Sequence, residues 1–210
     1  MNKPSPIYGN FEDKYSTTNP VSKFLVKGFL NTFHHFLETI SEQKNIDICE
    51  VGCAEGELLK HIHLFFPTAR LLATDISENE IEKARKNCQS IPVEFSIQNA
   101  ENLAEFKDGE FDLVICCEVL EHLDNPTQGL RELHRISKKN VLVSVPNEPI
   151  WRILNMVRGK YIKTLGNTPG HLNHWTVLQF PKFLQNGNFK IISKKYPLPW
   201  QMILLEKTTP

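Results

Sequence analysis

The chain has no net charge. Its 210 residues carry 24 Lys and Arg against 24 Asp and Glu, so no global field draws it to nucleic acid or to an anionic membrane. No apolar run approaches the roughly 20 residues of a membrane-spanning helix. The N-terminal residues lack the charged-then-apolar pattern of a secretory signal. Internal repeats and low-complexity stretches are also missing. The five cysteines, Cys49, Cys53, Cys88, Cys116 and Cys117, lack the spacing of a secreted disulfide framework. Four of them fall on or beside apolar runs, which predicts reduced thiols packed as small hydrophobes. Aromatic residues make up 10%, and their distribution does not resemble a base-stacking platform. These absences predict a cytoplasmic chain of one domain, long enough to bury a sizeable core.

What is present is an alternation of short apolar runs with amphipathic stretches. Strand patterns fall at 46–51, 70–75, 92–97, 111–116 and 140–145, and helix patterns at 56–66, 78–89 and 127–136. Such alternation predicts an α/β fold with a parallel sheet and right-handed crossovers. An N-terminal segment (1–45) places a helix over Val21 to Ile40 after Asn19-Pro20. The strand-rich core covers 46–148. An insertion at 149–176 opens with an amphipathic helix over 150–162, and 177–210 closes with a helix and two strands.

The most informative stretch is Glu50-Val51-Gly52-Cys53-Ala54-Glu55-Gly56, a carboxylate and a glycine-rich turn between the first strand and its helix. That context separates a nucleotide-binding turn from a chance pair of glycines. The second strand ends at Asp75, where doubly wound folds place the acid that accepts hydrogen bonds from ribose hydroxyls. Together they suggest an adenosine-containing cofactor. A carboxylate such as Glu50 suits one carrying a cationic amine better than one carrying phosphates.

The stretch Glu50 to Gly56 resembles motif I of the class I S-adenosylmethionine-dependent methyltransferases, with Ala54 in place of the usual central glycine. Asp75-Ile76-Ser77 is similar to the family's motif II. Asn99-Ala100-Glu101-x-Leu103 is similar to its D-A-E-x-L turn, with an amide in place of the acid. Phe111 to Leu123 follows its fourth-strand segment, with the string Glu118-Val119-Leu120-Glu121-His122. The resemblance covers about residues 46–148 and is nearest to the ubiquinone-biosynthesis-type enzymes of the type 11 branch. It implies a Rossmann-like sheet of seven strands, the last antiparallel, with helices on both faces. It also implies S-adenosylmethionine as cofactor. Glu50, Gly52, Cys53, Ala54 and Gly56 would meet its methionine end, Asp75 and Ile76 its ribose and adenine face, Asn99, Ala100 and Glu101 its adenine, and Cys117 would offer backbone near the amine. Tyr8, Tyr15 and residues 150–175 would cover a methyl acceptor.

Glu118, Glu121 and His122, spaced i, i+3 and i+4, are expected on one helix face at the end of the fourth strand. Three readings stand open. Glu118 caps the helix while the others contact the scaffold; or His122 is a catalytic general base; or the three, joined by His171 of the Gly170-His171-Leu172-Asn173-His174-Trp175-Thr176 run, hold a divalent metal. The histidine run is similar to one in metal-dependent methyltransferases acting on RNA 3′-terminal ribose, with His174 as runner-up to His171. The insertion from Trp151 to Trp175 holds Arg152, Arg158, Lys160 and Lys163 and no acid. It is a solvated helix face, a recognition surface for an anionic or lipophilic acceptor, or a peripheral membrane contact. The leading expectation is O-methylation of a small acceptor. Its competitors are the RNA-terminal activity, against which the missing basic extension counts, and a binding module that has lost catalysis.

Overall fold

The computed structural model describes residues 19–41 and 45–208. The expectation that Tyr8 and Tyr15 cover the acceptor therefore lies outside the described residues. The chain opens with helix α1 (Pro20–Ile40). Then follow β1 (Asp47–Val51), α2 (Glu57–Phe65), β2 (Arg70–Asp75), α3 (Glu78–Asn87), β3 (Val93–Ile97) and β4 (Phe111–Cys117). A single 3₁₀ turn (Leu120–His122) precedes α4 (Pro126–Ile136), β5 (Ser137–Pro146), α5 (Ile150–Val157), a second 3₁₀ turn (Ile162–Thr164), α6 (Gln179–Gln185), β6 (Phe189–Lys195) and β7 (Trp200–Lys207).

Local chemistry sets several of these boundaries. Asn19 Oδ1 accepts from the N–H groups of Val21 and Ser22 while Pro20 takes the first helical position. This is the preferred way to start a helix, because the proline has no N–H to leave unpaired. Asn125 and Pro126 repeat the device at α4, with Asn125 Oδ1 accepting from Gln128 N at 3.1 Å.

The strands form one seven-stranded sheet in the order β3-β2-β1-β4-β5-β7-β6. β7 runs antiparallel to both neighbours, and the other strand pairs are parallel. Successive strand residues face opposite sides. Ile48, Leu71, Leu113, Ile115 and Leu204 pack against α1, α2 and α3. Cys49, Leu72, Val114, Val143 and Ile203 pack against α4 and α6 on the other side. Strands buried on both faces read as continuous apolar runs. β4 is the clearest case, with six of its seven residues buried. All five cysteines are buried and unbridged.

The sheet extends one way from β1 through β2 and the other way from β1 through β4. That reversal opens a crevice outside the C-terminal ends of β1 and β4, where open α/β sheets bind ligands.

Two local expectations are corrected. The stretch from Glu118 does not form an α-helix. Asn125 and Pro126 start α4 only eight residues after the end of β4, and Glu118 takes a left-handed φ of 61°. One 3₁₀ turn fits between them, so Glu118, Glu121 and His122 do not share a helix face. In the insertion the helix stops at Val157 rather than at residue 162, because Gly159 turns the chain at φ 72°.

Candidate functional site

The turn after β1 is shaped by contact as well as by conformation. Gly52 lies at φ 76°, and a Cβ there would press on Val119 Cγ2. A side chain would have to displace that methyl as well as adopt left-handed backbone. Ala54 holds a left-handed φ of 45°, a small strain for a residue with a Cβ. The turn is fastened to the end of β2. The N–H groups of Gly52 and Cys53 donate to Thr74 O at 2.7 and 2.8 Å. Ala54 N donates to Asp75 Oδ2 at 3.0 Å, and Ser77 N to Asp75 Oδ1 at 2.9 Å. Asp75 thus ties the first two strand-end turns together before any ligand arrives. Burial raises its pKa, opposed by the N–H groups of Ser77 and Ala54.

Glu50, the last residue but one of β1, lies in the interior, 3% exposed. Burial first and the nearby Asp75 second push its carboxyl well above the ordinary range. Its Oε2 is buried without a hydrogen-bond partner. An unpartnered carboxylate oxygen beside a second carboxylate has the chemistry of a site for a cation.

Further along the crevice, Ile76 is exposed. Asn99 is exposed as well, and its Oδ1 accepts from Glu101 N at 2.9 Å in a tight local turn. One lone pair of that amide oxygen remains for a ligand. Ala100 is buried behind it. The Glu101 carboxylate accepts from Asn125 N at 2.7 Å and so braces the start of α4. Cys117 closes β4 with its side chain buried.

The string from Glu118 to His122 splits in two. Glu118 turns into the protein, accepting from Ser144 Oγ at 3.0 Å and from Trp200 Nε1 at 2.6 Å. It joins the ends of β4, β5 and β7 and stands apart from the other members of the expected metal set. Glu121 and His122 turn instead towards the 166–176 loop. Glu121 O accepts from Leu172 N and Asn173 N, and Asn173 Nδ2 donates to Leu123 O at 2.7 Å. These bonds bring His171 to His122, with ring centroids 4.9 Å apart and the rings edge to face. Ligand atoms of Glu121, His122 and His171 all lie within 4.8 Å of one another. His122 Nδ1 lies 2.8 Å from Gly170 O; since that carbonyl can only accept, Nδ1 carries the proton and Nε2 keeps its lone pair. Burial lowers the pKa of His122. Burial, then His122, His174 and Arg152, push His171 down to about 3. Both rings are therefore neutral near pH 7, the form in which imidazole accepts a proton or binds a metal.

A second group stands beside this one, and its acid, Glu148, was not among the residues singled out in the sequence. Glu148 follows β5 and is buried, with His174 Nδ1 at 3.6 Å and Arg152 Nε at 3.7 Å. Trp151 stacks on His171 at 5.7 Å and donates from Nε1 to Thr168 Oγ1 at 2.8 Å. The strand-like pairing of Asn147 with Trp175 draws these residues together. The sequence signal for Glu148 was a carboxylate just past the fifth strand.

A seven-stranded sheet with one antiparallel strand, a glycine turn after β1 and acids closing β1 and β2 define the class I methyltransferase fold. Residues 49–145 match the family model of the methyltransferase domain, and this stretch is similar to the class I, S-adenosylmethionine-dependent methyltransferases. The ubiquinone biosynthesis O-methyltransferase of Xanthomonas oryzae pv. oryzae is 31% identical over 123 residues, 56% of this chain and 51% of that protein. The chain thus spans about half the length of that relative. Among solved structures, magnesium protoporphyrin IX methyltransferase from Synechocystis PCC 6803 with bound SAH superposes with a TM-score of 0.70 at 19% identity, over 91% of this chain and 89% of that one. The [4+2]-cyclase SpnF superposes at 0.65 with 13% identity, over 84% and 81%. At these identities the likeness is one of fold. The cyclase shows that this fold also serves other chemistry, so the function depends on the acceptor-side residues.

Proposed function

We propose that the chain moves the methyl group of S-adenosylmethionine to a hydroxyl oxygen of a small acceptor. The observation that carries this reading is Glu50, a buried carboxylate with an unpartnered oxygen behind the Gly52–Gly56 turn. It fits the amine of the cofactor's methionine end. Asp75 fits the ribose hydroxyls, with Gly52, Cys53, Ala54 and Gly56 giving close backbone approach. Ile76, Asn99 and Ala100 line the place for adenine, and Cys117 offers backbone near the amine. Glu101 acts from behind through Asn125. When bound, the cofactor supplies a methyl group on a sulfonium, an excellent leaving group.

The remaining work falls to the chain's own residues. They align the acceptor oxygen with the methyl carbon and exclude water. As the C–S bond breaks and the C–O bond forms, the hydroxyl must lose its proton. His122 Nε2 is the base in this reading: Nδ1 is committed to Gly170 O, and burial keeps the ring unprotonated. His171 packs edge to face on that ring and is itself stacked on Trp151.

The convergence of Glu121, His122 and His171 favours a second reading, in which they hold a divalent ion. One carboxylate and two neutral imidazoles suit Zn²⁺, Mn²⁺ or Fe²⁺ better than Mg²⁺. Bound there, an ion would supply Lewis acidity towards an acceptor hydroxyl. Glu118 is not among the ligands in this version. A small hydroxylated acceptor remains the favoured substrate class over RNA.

The test is transfer of labelled methyl from S-adenosylmethionine to components of a cell extract, with and without EDTA. A labelled small molecule formed in both arms supports His122 as base, and one formed only without EDTA supports the ion. Tight cofactor binding without labelled product in either arm would leave a binding module and overturn the proposal.

A further inference from the structure

Beside the candidate base stands a polar cluster that proton removal alone does not require. Glu148 lies four residues past Ser144, which pairs with Cys117 across β4 and β5. It therefore stands on the same rim of the sheet as His122. It is 7% exposed. Neither of its carboxylate oxygens accepts a hydrogen bond, and Arg152 Nε, His174 Nδ1 and His171 Nδ1 are buried without hydrogen-bond partners as well. Buried polar groups are ordinarily paired, because each one left bare forfeits its bonds to water. Five such atoms in one cluster mark a place that a ligand completes.

The cluster is held in place from behind. Glu148 N donates to Trp175 O at 3.1 Å, and Asn147 N to Pro199 O at 2.9 Å. Gln201, fully buried, donates from Nε2 to Trp175 O at 2.9 Å. The ends of β5 and β7 and the histidine loop thus fix the Glu148 backbone. Its charged neighbours stop short of it. Arg152 Nε and His174 Nδ1 lie 3.7 and 3.6 Å from Glu148 Oε1, beyond ordinary hydrogen-bond distance. Burial raises the Glu148 pKa, and Arg152 opposes the rise through its guanidinium and its N–H. Both His174 and Arg152 act on the charge of His171, and His171 packs on His122. The cluster is therefore continuous with the candidate base.

We propose that Glu148, Arg152 and His174 bind the acceptor, and that the acceptor is a sugar presenting several adjacent hydroxyls. This rests on the reading that methyl transfer goes to a hydroxyl beside His122. The bare atoms themselves select the class. An ionised carboxylate only accepts, a guanidinium only donates, and each imidazole Nδ1 does one or the other. A hydroxyl does both, and two neighbouring hydroxyls span the two oxygens of a carboxylate. An ammonium group would suit Glu148 but meet the Arg152 cation. An anion would suit Arg152 but meet the Glu148 charge. An aromatic acceptor needs apolar walls, and here the walls are a carboxylate, a guanidinium and two imidazoles.

The full chain is incubated with methyl-labelled S-adenosylmethionine and a cell extract, and the labelled products are hydrolysed in acid. The label should appear in an O-methyl monosaccharide. Label in an aromatic ether overturns the inference while transfer to a hydroxyl stands, and label in a nucleoside overturns it equally. No labelled product beside tight cofactor binding overturns both. Methyl glycosides and nucleotide sugars of the labelled monosaccharide then serve as acceptors in steady-state assays. Glu148→Gln removes the charge and one acceptor oxygen, and should raise the acceptor KM by about 10- to 100-fold, the worth of a hydrogen bond to a charged group. Its Tm should not fall, because the carboxylate makes no hydrogen bond that the fold would lose. His174→Gln, at a side chain 29% exposed, gives an independent variant and should raise KM severalfold. An acceptor KM indifferent to both substitutions overturns the inference. So does a Glu148→Gln variant that loses stability and cofactor affinity in step with activity, the mark of a structural role.

Discussion

Replacing Glu118 by alanine should destabilise the protein without touching the chemistry of the Glu121, His122 and His171 cluster. The Glu118 carboxylate is the acceptor for two buried donors, Trp200 Nε1 at 2.6 Å and Ser144 Oγ at 3.0 Å. Trp200 is 4% exposed and Ser144 fully buried, so water reaches neither freely. An orphaned buried donor costs about 1–3 kcal/mol. The serine hydroxyl can rotate towards another acceptor, but the indole N–H is fixed by its ring, which packs on Phe29 and Trp151. The expected loss is about 3–4 kcal/mol. For a chain of this size it lowers Tm by roughly 6–16 °C, at about 2–4 °C per kcal/mol. Thermal and urea unfolding followed by circular dichroism measure it. Trp200→Phe also loses ring packing, so the pair is separated by a double-mutant cycle, where a coupling of about 1–3 kcal/mol is expected. Glu118→Gln, which keeps an acceptor oxygen, should recover part of the loss. Destabilisation by Glu118→Ala of less than about 0.5 kcal/mol, or coupling near zero, would refute the brace.

Asp75→Ala should weaken S-adenosylmethionine binding by about 1.5–3 kcal/mol in calorimetry, through loss of a charged acceptor; unchanged affinity in a folded variant would remove the ribose assignment. Glu50 has its carboxyl pKa raised by burial and by Asp75, and an arriving amine lowers it again. Cofactor binding should therefore release a proton and tighten as pH rises, seen as a buffer-dependent heat of binding that vanishes in Glu50→Gln. His171 is held at about 3 in the folded chain against 6.5 for the free group. Acid thus protonates the unfolded state first, and stability present above about pH 6.5 is lost as pH falls towards 3. At 1.36 kcal/mol per pH unit the loss is bounded at about 5 kcal/mol. Unfolding free energies of His171→Asn across that range should show a flatter slope, and an identical slope would refute the assignment. Gly166→Ala should destabilise by about 1–3 kcal/mol, since its Cβ meets backbone rather than a flexible side chain; an unchanged Tm would show that the turn yields.

The frame of the fold was legible because its signals are local or periodic. The apolar runs, the caps at Asn19 and Asn125, and the glycine turn twenty residues before Asp75 all act within a few positions of themselves. The antiparallel last strand came from the resemblance, not from periodicity. The acceptor side was less legible because its geometry is set by partners far along the chain. Glu118 meets a tryptophan 82 residues away, and nothing near it announces a left-handed φ. Glu148 gains its neighbours only because Asn147 pairs with Trp175. The early end of α5 is a different case, since Gly159 was visible and the apolar periodicity beyond it outweighed the glycine.

The division of the string from Glu118 to His122 also limits what such a string can mean. One left-handed residue followed by one 3₁₀ turn sends the first carboxylate into the sheet and the second towards the histidine loop, so a shared motif yields a brace and a candidate ligand side by side. Both halves then meet again through the insertion. Trp151 packs on Trp200, the partner of Glu118, and on His171, the neighbour of His122. Two positions along the same helix, Ile153 faces solvent. A two-turn helix that touches the candidate site on one side and solvent on the other leaves little packing between them. A shift of α5 therefore bears, through Trp151, on the ring next to the candidate base.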